Sequence, residues 1–412
     1  MSEQKTAPPP AIDVQEPAPA YERESPVTST VQGSGPAPAR EMPANLVQLD
    51  GPRRSLLKKA LPCKCADGQL TIKQVTEDYT PQKLQALVSI KYSGINPCDL
   101  NFFHVGLNSF VTGFEFAGIV EAVGSESALQ VGDAVLGISP VGFPQKSPAC
   151  THQDKAIVES NLTFKLPHGL ALKDAGGLAL TTQTAADAIF NVLGFAFPAA
   201  GVTGTGGTDK PILIWGGASS VGIAAIQLAK AAGFNPIFTT ASVKNHAALQ
   251  LLGATHCFDY KSPDVTGDIR AAAKSLGVSL TFGFDTVGSG LHGPNADSET
   301  STPTLLRRSL SKGAEEISVK LVCTQPVAHD PAFGFCTCYR PVGSIGAMGH
   351  PQDPEFPTRV RKVMEYVLGS AERAPKHPNI TVVKGGEAGL QEIQRVAYGG
   401  ASLEKVVIEH PI

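Results

Sequence analysis

Residues 211–230 read PILIWGGASSVGIAAIQLAK, and this stretch decides the fold of the chain. The apolar run Ile-Leu-Ile-Trp predicts a parallel strand covered on both faces, and the residues after the glycines switch to helical spacing. Between them, Gly216, Gly217 and Gly222 allow a tight turn whose N–H groups and helix dipole would receive a pyrophosphate. Ser219 stands where the usual motif has its middle glycine, so the turn alone is a weak signal. Strand, turn and helix together predict a dinucleotide-binding unit.

The segment after the second predicted strand indicates which dinucleotide is bound. An NAD-binding unit usually carries a carboxylate roughly 20 residues after the glycines, where it accepts hydrogen bonds from the ribose 2′-hydroxyl. Here no Asp or Glu occurs between Gly222 and Asp259, and the expected position offers Ser242, Lys244 and Asn245. Cationic and hydroxyl donors bind a 2′-phosphate, which a carboxylate would repel. The sequence therefore predicts NADPH, read by Lys244 and Ser242; an ordinary surface lysine is the alternative for Lys244.

Composition excludes several classes of function. The chain has 412 residues and a formal net charge of −3 without a basic block, so neither nucleic acid nor an anionic membrane surface is an expected partner. No apolar run reaches the about 20 residues that span a bilayer. The N-terminus lacks the apolar core of a secretory signal and has too many acidic residues for an ordinary transit peptide. We therefore expect a cytoplasmic protein of two or three domains.

Eight cysteines are scattered along the chain. Without a secretory signal we expect no disulfide framework, and most of these thiols should be reduced and structural. The pairs Cys63/Cys65 and Cys336/Cys338 invite a metal interpretation, but structural zinc usually has two-residue spacers and four convergent ligands. The favoured interpretation is alternation along a strand, with both cysteines of a pair on one face.

The chain divides into a tail, a β-rich part and a part in which strands and helices alternate. Residues 1–48 are rich in Pro, Ala, Ser and Glu and poor in large apolar groups, which predicts a disordered tail. Short alternating runs then predict strands at 70–75, 87–91 and 118–123. Because these runs precede the first strand–turn–helix unit, they predict a compact antiparallel barrel.

From residue 211 onward, strands and helices alternate, which predicts an α/β fold class with a doubly wound parallel sheet. The segments after the first helix are 236–240, 246–252, 254–260, 269–276, 280–286 and 319–323. After about residue 330 the alternation stops; the remaining segments are 333–339, a helix at about 357–369 and a last strand at 405–408. A barrel that is interrupted by a nucleotide domain and then resumed would place its active site in the crevice between them.

Several motifs occur in an order that resembles the medium-chain dehydrogenase/reductase family. They are Ser93-Gly-Ile-Asn-Pro-Cys-Asp99, Gly113-Phe-Glu-Phe-Ala-Gly118, Val131-Gly-Asp133, the glycine turn and Ser402-Leu-Glu-Lys-Val-Val407. Over roughly residues 50–412 the chain is most similar to the zinc-free branch that includes the fungal trans-acting enoyl reductases of polyketide biosynthesis. Asn-Pro-x-Asp combined with Ser-x-Lys-Asn and Gly385-Gly386 is fairly specific for that branch. The resemblance implies a Rossmann sheet inserted in a GroES-like antiparallel β-barrel.

The resemblance also implies domain bounds and site residues. We expect a GroES-like catalytic domain at 49–187, an NADPH-binding Rossmann domain at 188–328 and a return to the catalytic domain at 329–412. The cofactor would contact Asn96, Pro97, Cys98, Asp99, Gly217, Ala218, Ser219, Ser220, Val221, Gly222, Ser242, Val243, Lys244, Asn245, Tyr260, Thr324, Ala401 and Ser402. The substrate channel would be lined by Leu178, Thr181, Gln183, Thr184, Phe335, Thr337 and Tyr339. For Tyr260 the alternative is a core residue that ends the third strand.

The same resemblance bears on zinc. In the zinc alcohol dehydrogenases of this superfamily a Cys and a His occupy the positions of Asn96 and Phe114. Phenylalanine cannot bind a metal and asparagine is a poor zinc ligand, so we expect no zinc. Glu115 matches a carboxylate that lies behind the zinc in those enzymes, and here it is expected to brace the barrel.

Without a metal to polarise an alcohol, the reaction best suited to the site is transfer of a hydride from NADPH to the β-carbon of an enoyl thioester. Preorganised donors would stabilise the resulting enolate. The proton donor stays open among Thr181, Thr182, Thr184 and Tyr339, and for each of them the favoured interpretation is a hydroxyl that satisfies local backbone or lines a pocket. We expect a trans-acting enoyl reductase, monomer or homodimer, that serves the carrier-bound intermediate of a polyketide synthase. A freestanding quinone or enone reductase and a catalytically silent nucleotide-binding relative are the alternatives.

Overall fold

The computed structural model describes residues 58–60, 62–64, 69–105, 110–142, 144–292, 296–311, 319–346, 349 and 351–412. The predicted tail at 1–48 and Cys65 of the first Cys-x-Cys pair lie outside these residues. Among the described residues no helix is long and apolar enough to cross a membrane.

The first part of the chain consists of short strands and two short helices. These elements are β1 (Lys58–Ala60), β2 (Pro62–Lys64), β3 (Gln69–Leu70), β4 (Lys73–Val75), β5 (Gln85–Gly94), α1 (Cys98–Asn101), β6 (Phe110–Val111), β7 (Glu115–Val123), β8 (Ala134–Ile138), β9 (Lys155–Glu159), β10 (Thr163–Lys165) and α2 (Leu172–Ala175). Every second residue at the start of β5 is buried, which places Ala86, Val88 and Ile90 in the core. The strand predicted at 87–91 lies within β5, and the one predicted at 118–123 lies within β7.

The second part of the chain alternates helices and strands. Its elements are α3 (Ala179–Ala186), β11 (Ile212–Trp215), α4 (Ser220–Ala231), β12 (Ile237–Ala241), α5 (His246–Leu252), β13 (His256–Asp259), α6 (Val265–Ser275), β14 (Phe282–Asp285), α7 (Thr302–Ser309), β15 (Lys320–Cys323), β16 (Phe333–Phe335), α8 (Phe356–Val367), β17 (Ile380–Lys384), α9 (Gly386–Ala397) and β18 (Lys405–Glu409). A π-helical segment, Asp187–Val192, continues α3.

Six parallel strands form a doubly wound sheet in the order β13-β12-β11-β14-β15-β16, which confirms the predicted fold class. All four residues of β11 are buried, as the apolar run Ile212–Trp215 predicts for a strand covered on both faces. The chain continues from β11 toward β12 on one side, and later strands add on the side of β14. This reversal of strand order opens a crevice beyond the carboxyl ends of the strands, where ligands of such sheets bind.

The last strand returns to the β-rich part. β18 pairs antiparallel with β5 and parallel with β17, so it lies inside the seven-stranded sheet β10-β8-β7-β5-β18-β17, in which β9 also pairs with β5. The predicted strand at 405–408 is therefore confirmed. Because β18 lies beside β5, residues from the end of the chain reach the loop that follows β5.

The structure corrects the strand predicted at 70–75. Leu70 pairs with Cys63 in one small sheet, whereas Lys73 to Val75 pair with β1 in another. Thr71 and Ile72 lie between the two strands and belong to neither sheet. Leu70 and Ile72 still alternate up to this break, so the apolar pattern does not mark it.

The structure also extends the parallel sheet past the point where the sequence pattern ends. β16 pairs with β15, although the alternation of strands and helices stops before it and the predicted boundary lay at residue 328. A three-residue strand with a central glycine carries too little apolar pattern to be recognised. Cys336 and Cys338 follow β16, so they do not share one face of a strand as predicted.

Candidate active site

The glycine turn between β11 and α4 leaves two backbone amides without a partner inside the helix. Gly216 has a φ of 85°, a left-handed conformation that glycine adopts without strain. A Cβ on Gly222 would lie 2.3 Å from the carbonyl oxygen of Gly216, so no side chain fits there. The Oγ of Ser219 accepts the N–H of Gly222 at 2.9 Å and caps α4. The first-turn amides of Ser220 and Val221 have no carbonyl one turn earlier in the helix and could bind a pyrophosphate.

The ends of β12 and β13 bring a hydroxyl, a cation and an aromatic ring to one edge of the sheet. Ala241 and Asp259 are register partners, so the residues that follow them, Ser242 and Tyr260, leave the sheet as neighbours. Tyr260 is 47% exposed, which excludes the core role, and Lys244 is exposed. Asp259 is the carboxylate at this edge, and its Oδ1 accepts the backbone N–H of Lys261 at 3.1 Å.

The segment before β18 lies against the glycine turn. The N–H of Leu403 donates to the carbonyl oxygen of Ala218 at 2.8 Å. Asn245 donates from Nδ2 to the Oγ of Ser402 at 2.9 Å, and Ala401 directly precedes Ser402. The structure thus brings together four residues that the resemblance assigns to the cofactor. It also shows that the amide of Asn245 is engaged in holding Ser402.

Asn96, Glu115 and Lys405 form a buried polar cluster, called the Lys405 cluster below. The Lys405 side chain is 1% exposed, and its ammonium contacts Glu115 Oε1, Asn96 Oδ1 at 2.7 Å and the carbonyl oxygen of Ile95 at 3.1 Å. Asn96 Nδ2 donates to the same oxygen of Glu115 at 2.8 Å, and the N–H of Leu180 donates to Oε2 at 3.0 Å. One carboxylate therefore fixes both the loop before α1 and the start of α3.

The Lys405 cluster connects the glycine turn with the predicted nicotinamide segment. Leu403 bonds to the turn, and Lys405, two residues later, bonds to Asn96. Pro97 and Cys98 follow Asn96 and begin α1. Burial, with the charge of Asp99 adding to it, raises the pKa of the Cys98 thiol well above its ordinary value, so this thiol stays protonated. The turn and the 96–99 segment are thus connected by two hydrogen bonds from the segment that leads into β18.

The three threonine hydroxyls of α3 are used by the helix itself. Thr181, Thr182 and Thr184 donate to backbone carbonyl oxygens about one turn earlier, at 3.3, 2.7 and 2.8 Å. Gln183, between them, is 5% exposed, and its Nε2 has no hydrogen-bond partner among the described residues. Leu178 is buried at the start of the helix. Among the predicted substrate-lining side chains of α3, Gln183 is therefore the one with an uncommitted donor.

A buried ion pair holds the predicted substrate segment at 335–339. Arg340 binds the two carboxylate oxygens of Asp187 at 2.9 and 2.8 Å, and the Asp187 side chain is fully buried in the π-helical segment. The N–H of Thr337 donates to Asp187 Oδ2 at 2.9 Å. Burial raises the pKa of the half-buried Tyr339, which keeps its hydroxyl protonated.

The ends of β15 and β16 place Thr324 near this segment. Cys323 and Phe335 are register partners, and the N–H of Cys336 donates to the carbonyl oxygen of Cys323 at 3.1 Å. Thr324 directly follows β15 and therefore lies next to the residues just before Thr337.

Sequence reasoning missed three functional candidates: Lys405, Asp187 and His152. Asp187 and His152 lie in segments without ligand spacing or a motif, and Lys405 lies in the motif at 402–407, which gives no role to this lysine. His152 is fully buried and lies 3.1 Å from Asp99 Oδ2 and 2.8 Å from the Oγ of Ser93. Each of the three residues has partners far away in the sequence, Arg340 in the case of Asp187, and no local signal indicates these long-range contacts.

The residues around Glu115 do not fit a zinc ion. Phe114 is fully buried, with its ring centroid 5.1 Å from that of Phe102, and offers no ligand atom. The cation that Glu115 and Asn96 contact is the Lys405 ammonium. Among the described residues, no group of three or more His, Cys, Asp or Glu side chains could hold a metal.

Two family models match the chain. An alcohol dehydrogenase GroES-like domain matches residues 82–192, which hold most of the antiparallel sheet. A zinc-binding dehydrogenase domain matches residues 220–295, which begin at the first residue of α4.

The chain is also similar to curated fungal proteins. It is 34% identical over 187 residues to the trans-enoyl reductase himH of Aspergillus japonicus, a match covering 44% of this chain and 53% of that relative. It is 34% identical over 214 residues to the trans-enoyl reductase fsa3 of Fusarium sp. (strain FN080326), covering 50% and 56%. The chain thus spans about half the length of the curated relatives it matches.

Solved structures share the fold. The CurK enoyl reductase superposes with a TM-score of 0.61 at 19% identity, covering 86% of this chain and 99% of that one. At this identity the likeness shows the arrangement of barrel and parallel sheet. The two family models and the curated relatives show that the chain is similar, over the matched segments, to nicotinamide-dependent dehydrogenases and reductases of the medium-chain family, and the solved structure shows that it shares their fold.

Proposed function

We propose that the chain is a zinc-independent, NADPH-dependent enoyl reductase. It reduces the α,β-double bond of a polyketide intermediate held by the carrier protein of a synthase, as part of secondary-metabolite biosynthesis in the cytoplasm. The observation that carries the proposal is the donor set around Glu115, in which a lysine ammonium is the cation that the carboxylate contacts. A site without a metal lacks the Lewis acid that polarises an alcohol, whereas an enoyl thioester is already activated for hydride addition. Relatives named trans-enoyl reductases support this choice of substrate class.

The residues at the edge of the parallel sheet fit NADPH. The amides of Ser220 and Val221 would hold the pyrophosphate, and Ser242 and Lys244 would bind the 2′-phosphate. Tyr260, exposed beside Ser242, would lie against the adenosine. When bound, NADPH supplies the hydride that the reaction needs.

Gln183 would stabilise the charge that develops on the thioester oxygen. A buried donor without a partner costs about 1–3 kcal/mol, and an oxygen that becomes negative would offset this cost only when substrate is bound. Fixed donors of this kind are worth most in a site shielded from water. The neighbouring threonine hydroxyls are committed to the helix, so they are poorly placed for this task.

The proposed function is tested by following NADPH oxidation with three acceptors: a free pantetheine enoyl thioester, the same enoyl group on a carrier protein, and benzoquinone. We expect turnover of both thioesters, with the carrier-bound form preferred, and little turnover of the quinone. Efficient turnover of quinone alone would contradict the proposal, and so would NADPH binding without reduction of any acceptor.

The role of Gln183 is tested with Gln183→Leu, which keeps the volume and removes the donor. We expect kcat for the thioester to fall by roughly 10²–10³-fold, as for other oxyanion donors, with the affinity for NADPH unchanged. Gln145→Leu is the matched control, because Gln145 is a buried glutamine whose amide bonds to barrel backbone. A kcat for Gln183→Leu within about twofold of that control would contradict the role.

A further inference from the structure

Five polar side chains form a continuous chain of contacts from the predicted nicotinamide segment to the protein surface. Asp99 Oδ2 lies 3.1 Å from His152 Nε2, and His152 Nδ1 lies 2.8 Å from the Oγ of Ser93. The Oγ of Ser93 lies 2.8 Å from His410 Nε2, and His410 Nδ1 lies 3.4 Å from Asp154 Oδ1. We call this set the His152 chain. Its residues lie in α1, β5, the loop before β9 and the segment that follows β18.

Burial decreases from one end of the His152 chain to the other. Asp99, His152, Ser93 and the ring of His410 are at most 1% exposed, whereas the Asp154 side chain is 14% exposed. Asp154 also lines a surface cavity of about 80 Å³ together with Tyr79. The His152 chain therefore has one end in the protein interior and one end at the solvent-exposed surface.

The protons of the His152 chain can be arranged in two ways, which differ only in the direction in which each hydrogen bond is donated. In one, Asp154 is protonated and donates to His410 Nδ1, while His410 Nε2–H donates to Ser93 and the Ser93 hydroxyl to His152 Nδ1. His152 Nε2–H then donates to an ionised Asp99. In the other, every bond is reversed, so that Asp99 holds the proton and Asp154 is ionised. Both forms contain the same number of protons and the same four contacts, which is the arrangement that proton transfer along a chain requires.

Burial lowers the pKa of His410 below its ordinary value, and the charge of Lys91 lowers it further, while contact with Asp154 acts in the opposite direction. The neutral ring is therefore favoured near pH 7. A neutral imidazole has one donor and one acceptor nitrogen, as each of the two forms requires.

The inner end of the chain is incomplete within the protein. Asp99 Oδ2 accepts the N–H of Asn96 at 2.7 Å in addition to its contact with His152, but Oδ1 is buried and has no partner among the described residues. Purely structural buried networks normally satisfy such atoms. Because Oδ1 is sealed from bulk water, a proton lost there can be replaced only through Oδ2 and the His152 chain.

We propose that the His152 chain delivers the proton that completes reduction of the substrate, with Asp99 as the catalytic acid. This proposal rests on the proposed enoyl reductase function. Bound NADPH would supply a hydride, which carries both electrons, to the β-carbon. The resulting enolate would take one proton at the α-carbon from Asp99, whose carboxyl group turns so that the oxygen protonated through His152 faces the substrate. One proton moves to Asp99 Oδ2 from His152, one to His152 from Ser93, one to Ser93 from His410, and one to His410 from water by way of Asp154. The sum is one hydride and one water-derived proton per double bond.

Ser93→Ala interrupts the chain at its centre with the smallest change in volume. Ser139→Ala is the matched control, because Ser139 is an equally buried serine of the barrel whose hydroxyl donates to a backbone carbonyl. We expect Ser93→Ala to lower kcat by at least about tenfold, with a larger solvent deuterium isotope effect and unchanged KM and NADPH affinity, since general acid catalysis contributes about 10²–10⁴-fold. Ser139→Ala should leave kcat and the isotope effect at their wild-type values.

Nitrogen-15 NMR of the histidine rings provides a readout that does not depend on turnover. In the full-length protein, Asp154→Asn should shift the ring nitrogens of both His410 and His152. In the Ser93→Ala background the same change should shift His410 alone. Movement of His152 in both backgrounds, or in neither, overturns the relay.

The two proposals fail in different ways. A wild-type protein that reduces no enoyl thioester contradicts the proposed function. A wild-type protein that reduces the thioester, with Ser93→Ala as fast as Ser139→Ala and with the same isotope effect, contradicts the relay and leaves the enoyl reductase function standing.

Discussion

Replacement of Lys405 by methionine should destabilise the protein by about 3–5 kcal/mol, the usual cost of removing one partner from a buried ion pair. The ammonium is 1% exposed and contacts three oxygens, from Glu115, Asn96 and Ile95. Methionine fills similar space but donates no hydrogen bond. Glu115, itself fully buried, would keep only the N–H groups of Asn96 and Leu180, so its negative charge would lose its compensating cation.

The double variant Glu115→Gln/Lys405→Met removes both charges and should recover most of this loss, because uncharged residues of similar volume often replace a buried pair at little cost. The assay is urea unfolding of wild type, both single variants and the double variant, followed by the fluorescence of the single tryptophan, Trp215, and by circular dichroism. A loss below about 1 kcal/mol for Lys405→Met, or a double variant less stable than Lys405→Met, would refute the existence of a buried charged pair.

Three further predictions concern the cofactor edge, the glycine turn and a partly buried histidine. Lys244→Glu should weaken NADPH binding by roughly ten- to a hundredfold and leave NADH binding nearly unchanged, measured by calorimetry; an equal loss for both coenzymes would contradict the phosphate contact. Gly222→Ala should abolish NADPH binding and lower the denaturation midpoint, because its Cβ would meet Gly216 backbone at 2.3 Å, whereas Gly206→Ala, where a Cβ meets nothing within 4 Å, should change neither. Burial and the Lys405 charge lower the pKa of His377 to about 3. Between pH 6.5 and 3, this histidine is therefore protonated in the unfolded chain but neutral in the folded protein. The contribution of His377 to the free energy of unfolding should therefore be fully present above about pH 6.5 and be lost as the pH falls toward 3, and His377→Asn should flatten this slope in urea titrations; an unchanged slope would contradict the assignment.

Local patterns predicted the elements that local physics determines. The strand Ile212–Trp215 and the helix His246–Leu252 were predicted with the bounds that the structure gives them. The strand is an uninterrupted apolar run between a proline and two glycines, and the helix ends at a glycine. Both signals lie within a few residues of the element, so one sequence is sufficient to read them.

The interior of the site could not be predicted in the same way. Lys405 reads as an ordinary strand-edge lysine until β18 is paired with β5, which brings it to Glu115. His152 and His410 likewise become neighbours of Ser93 only in the folded barrel. The contacts that stabilise buried charges join distant parts of the chain, and no periodicity records them.

The preference for NADPH and the individual site residues stay predictions, because they depend on ligand contacts. The fold and the convergence of the predicted segments are what the structure adds. Four parts of the site were inferred separately from the sequence: the glycine turn, the edge of the second strand, the 96–99 segment and the start of α3. In the structure, hydrogen bonds through Ser402, Leu403, Lys405 and Glu115 connect these parts.

The central claim is that this chain transfers a hydride from NADPH to the β-carbon of an enoyl thioester. The most direct measurement is mass spectrometry and NMR of the product formed from a crotonyl thioester and NADPH deuterated at C4, with each C4 epimer tested in turn. We predict one deuterium per product for one epimer, located at the β-carbon, and a solvent-derived proton at the α-carbon. Label at neither carbon with either epimer, or solvent hydrogen at the β-carbon, would contradict the claim.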